Sequence, residues 1–82
     1  MKNGWVETNN ALQKTFQFSN FHEALAFVNK VGEIAENLQH HPDICIKSYK
    51  SVFISTTTHD QGNKVTTKDR ELAAAIDKIG LS

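Results

Sequence analysis

Cysteine occurs once in these 82 residues, proline once and glycine four times. A lone Cys45 excludes an internal disulfide and cannot build a thiolate metal cage; it fits a reducing compartment. An excess of either charge is also missing: nine basic and nine acidic residues balance, and no Lys/Arg run occurs. That speaks against a reader of phosphate backbones, so no direct nucleic-acid partner is expected. Long hydrophobic runs are absent as well. Met1 to Thr8 has no apolar signal core, and no stretch approaches membrane-spanning length. The expected setting is the cytoplasm. The chain has no internal repeat, low-complexity tract, linker-like stretch or phosphate-cradling glycine loop.

At this length the expectation is a single domain, residues 1–82, with a thin core. A chain of about 80 residues gains only a few kcal/mol from one core without help. With no disulfide available, that help is expected from assembly into a homo-oligomer.

Trp5–Thr8 is rich in strand formers, and Asn9-Asn10 supplies a turn, because Asn tolerates positive φ. Leu12–Phe18 alternates, with Leu12, Phe16 and Phe18 on one face and Gln13, Thr15 and Gln17 on the other. It reads as a half-buried strand hairpinned to the first. Asn20 with Glu23 forms a capping-box start for a helix over Phe21 to Leu38. Its apolar positions are Phe21, Leu25, Val28, Val31, Ile34, Ala35 and Leu38. Pro42 disfavours a helical His41, so the helix ends near Gln39 or His40. Ile44–Tyr49 and Val52–Thr58 are two further strands joined at Lys50-Ser51, and Asp60 to Lys64 is a loop. Thr66 with Asp69 opens a second helix, with a stripe of Leu72, Ile76 and Ile79 and a stop at Gly80. The order strand, strand, helix, strand, strand, helix predicts an α+β two-layer sandwich: a four-stranded antiparallel sheet with helices on one face. Assembly is expected through the helix-free face or the edge strands.

Chemistry concentrates in Glu36, His40, His41 and Pro42, with His59 and Asp69 downstream. Imidazole titrates at roughly pH 6.5, so histidines beside carboxylates suit proton transfer near neutrality. Each residue also has a plainer reading. Glu36 and His40, four apart, are either an orienting pair or a solvent-exposed helix pair. His41-Pro42 is either a rigidly aimed imidazole or a simple helix stop. His59 lies beside a loop, where catalytic and ordinary surface histidines both occur. Asp69 is the carboxylate of the Thr66 cap and is also free to line a pocket. Trp5 either packs the hairpin or offers its π face to a flat heterocycle. His22 reads as surface. No HxxxH or CxxC pair exists, so no metal is expected. Cys45, inside a predicted strand without a basic neighbour, is a poor nucleophile.

The spacing Glu36-x3-His40-His41-Pro42-x6-Tyr49-x9-His59-x9-Asp69 resembles the signature of pterin-4a-carbinolamine dehydratases. Gly4-Trp5, Phe16-x-Phe18 before Phe21, Thr58-His59 and the Thr66 to Asp69 helix opening extend the resemblance over essentially the whole chain. It implies a hydro-lyase that removes water across C4a and N5 of a 4a-hydroxytetrahydropterin, giving the quinonoid dihydropterin and recycling the pterin of aromatic amino acid hydroxylases. It implies the same fold, assembly as homodimer or homotetramer, and no metal or redox cofactor, the pterin being the substrate. It makes His40 and His59 the acid/base groups and His41 a pterin-holding group. Glu36 and Asp69 would orient histidines or pair with ring nitrogens, and Trp5 and Pro42 would shape the binding site. The segment between His59 and Asp69 departs from the family pattern: it is more polar, one residue longer, and has Lys64-Val65 where Gly-Leu is usual. Two alternatives stand beside this reading. One is a non-catalytic dimerisation or transcription-coactivator module acting through the long helix, where Ala24, Ala26 and Phe27 widen the apolar surface. The other is a dehydratase-like protein acting on another pterin such as molybdopterin.

Overall fold

Asn9 and Asn10 both adopt positive φ, 52° and 63°, and close a two-residue loop between paired Thr8 and Ala11. Such a loop needs left-handed backbone at both central positions, and Asn tolerates it best after Gly. The structure is a computed structural model describing residues 4–59 and 62–80. Its elements are β1 (Val6–Thr8), β2 (Ala11–Gln17), α1 (Phe21–Leu38), β3 (Asp43–Lys47), β4 (Ser51–Thr56) and α2 (Thr67–Gly80). The four strands form one antiparallel sheet in the order β1-β2-β4-β3. Both helices cover one face, so the fold is the expected α+β sandwich.

The second hairpin turns earlier than its sequence suggests. Ser48 and Tyr49 take φ of 52° and 57°, so β3 stops at Lys47, and Ser51 already belongs to β4. β4 also ends sooner, at Thr56, so His59 does not ride on the strand. Asp60 and Gln61 of the expected loop lie outside the described residues.

Register places Leu12 opposite Thr56, Lys14 opposite Ile54 and Phe16 opposite Val52, with Ile44 and Ile46 beyond them on β3. This is the helix-covered face, the period-2 pattern putting alternate side chains inside. Leu12, Val52 and Ile54 pack there against Ala24, Phe27, Val31 and Ala35 of α1 and Leu72, Ala73 and Ile76 of α2. Each large aliphatic or aromatic side chain so buried contributes about 1.5–3 kcal/mol. Phe27 meets Phe16 and Phe18 at centroid distances of 4.7 and 4.9 Å.

The inward face of α1 is rotated from the expected stripe. Ala24 and Phe27 belong to the core, whereas Phe21, Leu25 and Leu38 are 49, 41 and 43% exposed. Apolar residues cover more than one side of this helix, so periodicity alone does not select the side that the sheet buries. The N-terminus forms as expected: Asn20 Oδ1 accepts the Glu23 N–H at 2.8 Å, and Glu23 Oε1 accepts the Ser19 N–H at 3.1 Å. The exit of α1 and the start of α2 meet at one end of the sandwich, beside the end of β4.

Candidate functional site

Gln39 turns the chain out of α1. It is left-handed (φ 54°, ψ 40°), its N–H bonds to Ala35 and Glu36 carbonyls, and its side-chain amide donates to Glu36 O at 2.7 Å. The residue after such a cap leaves the helical path. The i,i+4 pairing expected between Glu36 and His40 therefore does not form. Instead the Glu36 carboxylate bonds His41 Nε2, both side chains being exposed. His40 points the other way, and its Nε2 donates to Asp69 Oδ1 at 2.6 Å.

Asp69 has no exposed side-chain surface. Four donors converge on it. Oδ1 accepts Thr56 Oγ1–H at 2.6 Å and His40 Nε2–H, while Oδ2 accepts Thr58 Oγ1–H at 2.8 Å and the Thr66 N–H at 2.9 Å. Burial alone raises the carboxyl pKa. The bonds from Thr56, His40, Thr66 and Thr58 outweigh it and hold the group below its ordinary value. Asp69 is thus both the reciprocal carboxylate of the Thr66 cap and the anchor of His40.

Hydrogen positions follow from valence. An ionised carboxylate only accepts, so the Thr58 hydroxyl hydrogen goes to Asp69. The hydroxyl contact between Thr58 and Thr66, 2.7 Å, must then be donated by Thr66. Thr66 Oγ1 in turn accepts the Lys68 N–H at 3.3 Å. The chain of donors runs one way, from the first turn of α2 into Asp69. By the same logic neutral His40 carries its hydrogen on Nε2 and leaves Nδ1 for a ligand.

His40, His41 and His59 line one open cleft of about 290 Å³ together with Gln39, Thr57 and Lys68. His59 reaches it from the loop after β4. That loop is closed by a bridge in which Thr58 and Lys64 exchange N–H···O bonds of 2.9 and 3.3 Å. His59 Nδ1 lies 2.8 Å from Asn63 Oδ1. A larger groove of about 450 Å³, at the opposite end of the helix pair between Phe18, Phe27, Lys30 and Ile79, holds no imidazole.

Other expected site residues fall elsewhere. Trp5 does not line the cleft: it is fully buried, with its indole N–H directed at both Asp77 carboxylate oxygens at 3.0 Å and its ring edge-on to Phe16. Its π face is spent on packing. Pro42 is half-buried behind His41 and outside the cleft lining. Cys45 is exposed on the edge strand β3, and His22 is on the surface. Sequence reasoning gives no site role to Thr56, Thr58, Asn63 or Lys68. The threonines had a legible signal, since Thr56 and Thr58 continue the inward alternation of Val52 and Ile54 as polar groups at core positions. Among the described residues, no three His, Cys, Asp or Glu side chains are placed to hold a metal ion, and no helix is long and apolar enough to cross a membrane.

Comparison with known proteins identifies the family. A family described as "Pterin 4 alpha carbinolamine dehydratase" matches residues 1–79. A curated protein of Sulfolobus acidocaldarius is 49% identical over 93% of this chain and 81% of its own length. One from Trichormus variabilis is 50% identical over 93% and 80%. Both carry provisional pterin-4-alpha-carbinolamine dehydratase names. Among solved structures, a transcriptional coactivator/pterin dehydratase from Brucella melitensis superposes with a TM-score of 0.86 at 30% identity, covering 94% of this chain and 82% of that one. A pterin dehydratase-like protein described as a RuBisCO assembly factor in the alpha-carboxysome shares the fold, with a TM-score of 0.78 at 22% identity over 94% and 89%. The chain belongs to the pterin-4-alpha-carbinolamine dehydratase family.

Proposed function

We propose that this protein dehydrates a 4a-hydroxytetrahydropterin in the cleft between the exit of α1 and the loop after β4. The observation that carries the reading is the convergence of His40, His41 and His59 on one cavity, with His40 backed by a buried carboxylate. The C4a–O bond breaks with its electron pair leaving on oxygen, so the hydroxyl must be protonated as it departs. N5 loses its proton as the C4a=N5 bond forms. One imidazolium and one imidazole supply both transfers, each contributing about 10²–10⁴-fold. His40 Nδ1 and His59 are the acid/base groups. Asp69 acts through His40: it fixes the tautomer and stabilises the imidazolium when it forms. His41, steadied by Glu36 and aimed by Pro42, holds the pterin. The product is the quinonoid dihydropterin, so the reaction serves recycling of the pterin of aromatic amino acid hydroxylases. Assembly as a homo-oligomer is part of the same proposal.

Stopped-flow decay of freshly generated 4a-hydroxytetrahydropterin tests the reading. The wild type is expected to exceed the buffer rate, and His40→Ala and His59→Ala each to lower turnover by about 10²–10⁴. A wild-type rate equal to buffer ends the enzyme reading; three equal rates end the residue assignment.

A second reading, a non-catalytic interaction module, draws on exposed Phe21 and Leu25 of α1 and on the coactivator name of the Brucella relative. It predicts that Phe21→Ser and Leu25→Ser abolish function while both histidine variants preserve it.

A further inference from the structure

We infer that Asn63 is the positioning residue of His59: its side-chain carbonyl fixes the Nδ1–H tautomer and turns Nε2 toward the cleft. This rests on the dehydratase reading for its purpose, not for its geometry. Asn63 Oδ1 lies 2.8 Å from His59 Nδ1. A carboxamide oxygen only accepts, so the ring hydrogen sits on Nδ1 and the lone pair on Nε2. His40 carries the opposite arrangement, with Nε2–H on Asp69 and Nδ1 left over. The cleft is thus served by one imidazole through Nδ1 and one through Nε2, each set by a different side-chain acceptor. A base and an acid working on two adjacent substrate atoms each need the reacting ring nitrogen held toward its target.

The loop is built to hold this contact. Gly62 and Asn63 are both left-handed, at φ 76° and 60°, and the Gly62 N–H donates to the His59 carbonyl at 3.1 Å. The Thr58 and Lys64 bridge closes the loop immediately outside. Asn is the non-glycine residue that best tolerates left-handed backbone, so it meets the turn and presents an acceptor at once. The charged and titratable groups sharing the cleft with His59 are His40, His41 and Lys68. Asp69 lies buried behind His40 and Glu36 beside His41.

The test compares wild type, Asn63→Gly and Asn63→Asp. Asn63→Gly keeps the positive φ and removes the acceptor; Asn63→Asp keeps the acceptor and adds charge. Long-range 1H–15N spectra of the imidazoles across pH report each tautomer without turnover. Wild-type His59 should show a protonated, pyrrole-type Nδ1 when neutral. Asn63→Gly should move it toward the Nε2–H form and lower kcat by about 2- to 10-fold, with KM little changed, as expected for loss of one exposed hydrogen bond. Asn63→Asp should retain the wild-type tautomer and displace the His59-dependent limb of the pH–rate profile to higher pH. A pyridine-type Nδ1 in the wild type, or an Asn63→Gly protein with unchanged tautomer and pH profile, overturns the inference. An inactive wild type with pyrrole-type Nδ1 would refute the dehydratase reading while supporting the positioning role. An active wild type with pyridine-type Nδ1 would do the reverse.

Discussion

Replacing Asp69 by Asn changes one atom and reverses the logic of the site. The carboxylate accepts from four donors, two on each oxygen. An amide has one oxygen, so its NH2 must face two of those donors. On the Oδ2 side it would confront the Thr66 backbone N–H, which cannot reverse. On the Oδ1 side it meets the Thr56 hydroxyl, which can rotate, and His40, which can move its hydrogen to Nδ1. The second arrangement wins, and His40 becomes an acceptor at Nε2 with its hydrogen facing the cleft. In serine proteases, an aspartate-to-asparagine change behind the catalytic histidine costs about 10⁴ in kcat for this tautomeric reason. In the proposed mechanism the imidazole shares the work with His59, so the expected loss in turnover is about 10²–10⁴. Exchanging charge-assisted bonds for neutral ones should lower stability by about 1–3 kcal/mol. The folded pKa of Asp69 lies below its ordinary carboxylate value. Its contribution is therefore complete above that value and is lost as pH falls through the lower folded value. The stability gap between wild type and D69N should be level from neutrality down to about pH 5 and close at lower pH. Stopped-flow turnover, urea unfolding at several pH values and imidazole 15N shifts read all three effects. Wild-type turnover with an unreversed His40, or a gap that widens in acid, would refute the reasoning.

Thr56→Val keeps the shape at β4 and removes one donor to Asp69. It should cost about 1–3 kcal/mol in urea unfolding and bring acid unfolding to higher pH, because the Asp69 pKa moves back toward its ordinary value. Trp5→Phe loses the indole bond to Asp77 and should cost about 1–3 kcal/mol in melting experiments while leaving KM for the pterin unchanged. A raised KM would return Trp5 to the binding site. Asn20→Ala removes the cap of α1 and should lower stability by about 1 kcal/mol, with turnover unaffected at temperatures where the protein is folded.

Local rules located the elements, and they failed where the chain left a regular path. The capping pairs Asn20 with Glu23 and Thr66 with Asp69 are short-range chemistry and stand in the sequence in full. The Glu36 to His40 pairing applied helix spacing one step too far, because Gln39 had already turned left-handed. Periodicity does not select the covered face of α1, because Phe21 and Leu25 are as apolar as Phe27 and only the sheet decides which is covered. The histidines declared themselves by residue type. Their partners did not, since Thr56, Thr58 and Asn63 acquire meaning only when the end of β4, its loop and the start of α2 are brought together.

The carboxylate that seals the first turn of α2 is the same group that holds His40. Fraying of a few backbone amides at that terminus would release the imidazole without melting the sheet. Heat or denaturant could then silence the cleft before any global probe registered change, with amide exchange at Lys68 to Arg70 marking the threshold. A sequence drifting under selection cannot loosen that helix end for one purpose and keep it taut for the other.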